Sequence, residues 1–196
     1  MMPNFKDRNP AFAGGRSFFP VKNLVIIVSV VLMLLGWYST RLVVAIIPEG
    51  TSGAVTFATA AGDEWYISLT HSVEKTAWND YFRVNGANNM TMTHTRFSSL
   101  GWGYPYSAAD GKLTQTADGK FDMEMNRPYK EVALRISEQA MPHIVHGGDS
   151  YDLIALYGQG TAVTVKVMYR YQYWLGRGFL LAGTVLLGFI ILNERS

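Results

Sequence analysis

His71 and Glu74 carry the clearest chemical potential in this chain. An imidazole and a carboxylate close together can exchange protons in general acid–base catalysis or orient a metal ligand. Side chains an odd number apart on a continuing strand point to opposite faces, so these two meet only if the chain bends at Ser72. The expectation is that His71 hydrogen-bonds a neighbouring strand or loop, and that Glu74 pairs with Arg96 or Lys75. The group then serves the fold or an interface, and no catalytic residue is assigned.

Other candidates carry weaker signals. His143 and His146 form a His-x-x-His that His71 and His94 can join. Zinc needs three or four converging ligands, and a pair beside Pro142 and Gly147-Gly148 reads as two polar residues at a turn. No metal and no cofactor is assigned. Ser72, Ser98 and Ser99 are near His71 in sequence, but no Gly-x-Ser-x-Gly elbow presents a nucleophile. Gly101-Trp102-Gly103-Tyr104-Pro105 lacks the Gly-Lys-Ser/Thr of a phosphate cradle. Its glycines suit a tight turn. Trp102 and Tyr104 are then either displayed as interface hot spots or used to fill a core.

Strand patterns position these residues. Ala54 to Thr59, Glu64 to Thr70, Trp78 to Val84, Met90 to Phe97, Glu131 to Ile136, Tyr151 to Leu156 and Thr161 to Tyr171 are rich in β-branched and aromatic residues. Turn residues separate them at Gly62-Asp63, Asn85 to Asn89, Asp110-Gly111, Asp118-Gly119, Gly147-Gly148 and Gly158 to Gly160. Short strands at this spacing predict an all-β, antiparallel sandwich or barrel-like domain. The chain has no cysteine, so packing and hydrogen bonds alone hold that domain.

The domain is bracketed by two apolar segments. The first runs from Leu24 towards Ile47, the second from Leu175 to Leu192, and each has the roughly 20 residues that span a bilayer. Leu42 to Ile47 reads equally as a first strand or as the last helical turns. The first segment is too long for a signal-peptide core, and Ser39-Thr40-Arg41 is a poor cleavage context, so it reads as a retained anchor. The organisation is therefore a tail at 1–22, a membrane helix at 23–47, an extracytoplasmic β domain at 48–172, a second helix at 173–193 and a tail at 194–196. Lys6, Arg8, Arg16 and Lys22 against Asp7 place both termini in the cytoplasm. Trp37, Tyr38, Tyr169, Tyr171, Tyr173 and Trp174 suit the headgroup level. In the second segment, small residues at Gly178 and Ala182, and at Thr184 and Gly188, allow close helix packing. The net charge of +2 reflects membrane topology, and the slightly acidic middle domain offers no nucleic-acid footprint.

Thr70-His71-Ser72-Val73-Glu74-Lys75-Thr76, followed by Arg96-Phe97-Ser98-Ser99-Leu100-Gly101-Trp102-Gly103-Tyr104-Pro105, resembles the two signature stretches of the bacterial domain of unknown function 1850 family. The chain departs from that pattern at Ala77, Asp80, Trp102 and Tyr104. The resemblance implies a place beside TRAP transporters of the TAXI type, which import organic anions using a membrane subunit and an extracytoplasmic substrate-binding protein. It implies a non-catalytic accessory subunit in the bacterial inner membrane, bound to the membrane subunit, with the substrate-binding protein as a further candidate partner. It carries over no reaction. The alternative is a membrane-tethered periplasmic ligand- or metal-binding module, or a structural subunit of another complex.

Overall fold

The computed structural model describes residues 21–50, 53–71, 73–100 and 111–176. The chain divides into two units, one up to Trp37 and one from Tyr38 onward. The described part of the first unit is helical. α1 (Val21–Ser39) is apolar on all sides, has no buried residue, and has the length and composition of a membrane anchor or a signal sequence.

The second unit is an antiparallel β sandwich. Its small sheet has the order β2-β1-β11-β8, with β1 at Leu42–Pro48, β2 at Val55–Thr59, β8 at Val132–Arg135 and β11 at Ala162–Tyr169. Its large sheet has the order β10-β9-β3-β4-β5-β7-β6. Here β3 is Glu64–Thr70, β4 Ala77–Gly86, β5 Asn89–Phe97, β6 Lys112–Gln115, β7 Phe121–Tyr129, β9 His143–His146 and β10 Asp149–Asp152. Alternate residues of both sheets meet in one core. Val44, Ile46, Phe57, Val163, Val165 and Val167 come from the small sheet, and Trp65, Ile67, Phe82, Val84, Met90 and Ile144 from the large one. Trp65 stacks on Phe82 at 4.8 Å in the middle of this layer.

Leu42–Pro48 is strand, so the helix boundary expected at residue 47 moves back to Ser39. The segment is apolar on both faces because both are covered. Val44 and Ile46 enter the main core, while Val43 and Ala45 are buried on the other side. A strand buried on two sides has no alternation to distinguish it from a helix. Tyr151 to Leu156, expected as strand, is strand only to Asp152. There the Asp152 carboxylate accepts from the Ile154 and Ala155 amides at 2.9 and 3.1 Å and caps α2 (Leu153–Tyr157). Three strands were not anticipated: β6, β7 and β9. The last holds the two histidines that had read as a turn. β11 stops at Tyr169, and residues 170–176 are helical, with Gln172 Oε1 accepting from the Tyr169 amide at 3.0 Å. The rest of the second apolar segment lies outside the described residues.

Two features position the functional residues. First, β1 and β11 are antiparallel neighbours, with Leu42 opposite Tyr169 and the Arg170 amide donating to the Arg41 carbonyl at 2.9 Å. The chain therefore enters and leaves the sandwich at one end. Second, β3 begins beside that end. The turn before it is held by Gly62 N–H to Val84 O at 2.8 Å, and the β4–β5 turn donates from Asn88 N–H to Val167 O at 2.8 Å. β3 then runs seven residues, about 20 Å, to the opposite end. At that end Thr70 N–H donates to Ala140 O at 2.7 Å.

Candidate functional site

The far end of the large sheet carries the six-residue connection between β3 and β4. Thr70 and Ala77 are the last ladder pair. His71 N–H donates to Thr76 O at 2.8 Å and Lys75 N–H to His71 O at 2.9 Å, closing the loop. Lys75 adopts φ +57, the left-handed conformation needed to turn the chain back. His71 is built into the turn: its Nδ1 accepts from the Glu74 amide at 3.3 Å, and its ring stacks near Trp78 at 5.9 Å.

The Glu74 carboxylate accepts a hydrogen bond from the Ser99 hydroxyl. The two signature stretches, 25 residues apart at this pair, are thus tied together in space. The expected pairing of Glu74 with Arg96 or Lys75 does not occur. Arg96 Nη2 and Nε instead donate to Asp122 Oδ2 at 3.0 and 3.3 Å. The reason is strand geometry. Arg96 projects from the outer face of β5, opposite Asp122 of β7, whereas Glu74 lies on a loop at the strand ends.

Behind this rim sits an acid that sequence reasoning did not single out as a site. The inner face of the large sheet presents a row Ile144–Ile67–Asp80–Thr95–Met123–Leu113, in register across six strands. Asp80 Oδ1 accepts from Thr95 Oγ1 at 2.6 Å and from Trp78 Nε1 at 2.7 Å. Burial raises the Asp80 carboxyl above its ordinary range, and these two hydrogen bonds oppose that shift. Trp78 also packs near Phe97, which with Met123 and Phe121 forms a second small core under the rim. On the outer face, Asn79 Oδ1 and Asp122 Oδ1 are buried without a hydrogen-bond partner among the described residues. A signal for Asp122 existed in the sequence: Phe121, Met123 and Met125 alternate with Asp122 and Glu124.

The four histidines do not converge. His71 is in the hairpin, while His94 stacks on Tyr81 at 4.1 Å with Thr93 Oγ1 at 3.1 Å from its Nδ1. His143 lies 3.4 Å from Ser150 Oγ, and His146 stacks on Phe57 at 4.6 Å. Among the described residues, no group of three or more His, Asp or Glu is arranged to hold a metal ion. Of the expected site residues, the structure brings together His71, Glu74 and Ser99, with Arg96 on the adjoining face. Ser72, Gly101, Trp102, Gly103, Tyr104, Pro105, Gly178, Ala182, Thr184 and Gly188 lie outside the described residues. At Gly111, the first described residue after position 100, a Cβ would clash with the Glu124 carbonyl oxygen.

A family model described as a domain of unknown function, DUF1850, matches residues 66–153. That span runs from within β3 through the hairpin, both cores of the large sheet and β10. No curated protein and no solved structure matches the chain.

Proposed function

We propose, from the membership of residues 66–153 in the DUF1850 family, that this protein is a non-catalytic accessory subunit of a TAXI-type TRAP transporter. It is anchored in the bacterial inner membrane by both apolar segments, with the β sandwich in the periplasm. The observation that carries this reading is the separation of the two ends of the sandwich. The chain enters and leaves beside Leu42 and Tyr169, while the described signature residues His71, Glu74 and Ser99 form a rim about 20 Å away. A domain held at one end and rigid at the other is suited to presenting a recognition surface. The rim is rigid because Glu74 ties the hairpin to Ser99 and His71 caps the hairpin internally. His71 Nδ1 and one Glu74 carboxylate oxygen are engaged on that scaffold, which supports a structural or interface duty over proton transfer.

The rim lies away from the chain's entry, so it suits a partner standing off the membrane, the substrate-binding protein. The small-residue faces at Gly178/Ala182 and Thr184/Gly188 suit the membrane subunit, because helix association in lipid depends on close packing. The test is copurification of the tagged protein in mild detergent. Wild type should bring down the transporter's membrane subunit, and replacing Gly178 and Gly188 by Leu should sharply reduce it. Recovery of no transporter subunit with the wild type refutes the reading.

A further inference from the structure

The outer face of the small sheet is partly roofed by residues 170–176. Tyr173 packs on Val43, Ala45 and Met168, and its hydroxyl donates to the Ala54 carbonyl at 2.9 Å. Beside it a groove of about 370 Å³ remains open, with Ile47, Ala54, Met168 and Tyr173 among its apolar walls and Lys166 and Asn88 among its polar groups. Lys166 stands opposite Ala45 on the adjacent strand and is half-buried. Among the described residues, no carboxylate lies within ion-pair distance of its ammonium group.

A half-buried cation with no counter-charge among the described residues, set against an apolar floor, complements a molecule with an anionic head and an apolar tail. The surroundings identify the source. Two residues separate β1 from a helix long and apolar enough to cross a bilayer. On the same helical stretch as Tyr173, the Arg170 guanidinium lies 4.0 Å over the Tyr38 ring, and Trp174 lies 5.8 Å from that ring. Tyr, Trp and Arg in such a cluster are the residue types that settle at the headgroup level.

We propose that this groove binds an acidic phospholipid, with Lys166 on the headgroup phosphate and the upper acyl chain along Met168 and Tyr173. The inference rests on α1 being a retained anchor and not on the transporter assignment; carbonate extraction of the same membranes tests the anchor separately.

The experiment uses the full chain in mild detergent, titrated with phosphatidylglycerol or phosphatidylcholine and read by native mass spectrometry. Wild type should retain phosphatidylglycerol over phosphatidylcholine roughly fivefold, the scale of one partly exposed charge pair. Lys166→Gln should abolish the preference and Lys166→Arg should keep it. Ala54→Phe fills the groove without altering charge and should reduce phosphatidylglycerol retention. Unfolding midpoints without lipid verify that each variant is folded. Equal retention of the two lipids by wild type overturns the proposal, as does a preference that survives Lys166→Gln. Displacement of phosphatidylglycerol by an equal concentration of decanoate also overturns it, because the groove would then select free carboxylates.

Discussion

Removing Arg96 should destabilise the domain considerably more than neutralising its partner. The Arg96 side chain is 39% exposed and that of Asp122 13%, so the pair falls between two regimes. Exposed pairs contribute about 0–1 kcal/mol, and breaking a fully buried one costs about 3–5 kcal/mol. In Arg96→Met the apolar stem is retained, but the Asp122 carboxylate loses its only cation among the described residues, where its Oδ1 already lacks a partner. The expected loss is about 2–3 kcal/mol, between those limits. In Asp122→Asn the charge disappears, and the half-exposed guanidinium can turn to water, so the expected loss is about 0.5–1 kcal/mol. The double variant should recover about 1 kcal/mol relative to the sum of the single changes, because Arg96→Met no longer strands a carboxylate. Urea unfolding of the full chain in mild detergent, followed by tryptophan fluorescence, measures all three, since Trp65 reports directly on the core. An Asp122→Asn cost equal to or greater than that of Arg96→Met refutes the argument that burial on the Asp122 side sets the balance.

Asp80 gives a pH signature. Its carboxyl is raised by burial, so its contribution to stability is fully present below the ordinary carboxylate value and is lost as pH rises through the folded-state value. Asp80→Asn keeps an acceptor for Trp78 and Thr95, so it should match or exceed wild-type stability at about pH 8. Wild type should gain on it steadily as pH falls towards about 4, in unfolding curves taken across that range; a constant gap would show that Asp80 is not desolvated. For topology, Glu138→Cys is exposed on the sandwich and should react with a membrane-impermeant thiol reagent on spheroplasts, whereas Ser196→Cys should not. Labelling of Ser196→Cys alone would reverse the proposed orientation.

Much of the sandwich was legible from residue type alone. Glu64–Thr70 reads as strand because Trp65, Ile67 and Leu69 alternate with polar or half-exposed positions, and β3 has those same bounds. β4 and β5 were found for the same reason, each extended by a residue or more where Asn85 to Asn89 closes the hairpin. The antiparallel class follows from short strands separated by Gly, Asn and Asp, since such connections are too short for parallel crossovers. Periodicity fails where burial is two-sided, as at Leu42–Pro48, and where one side chain redirects the chain, as at the Asp152 cap.

The sequence determined which residues stand near one another along the chain: His71 with Glu74, and Arg96 with Ser99. Only the tertiary structure decided how they pair. Antiparallel register puts Arg96 opposite Asp122, and the hairpin's own closure commits His71 to a backbone amide, leaving Glu74 to reach Ser99 across 25 residues. The buried acid at Asp80 and the groove at Lys166 were likewise out of reach of sequence. Each depends on residues from strands far apart in the chain, brought side by side by sheet order, and no local pattern records which strand will be the neighbour.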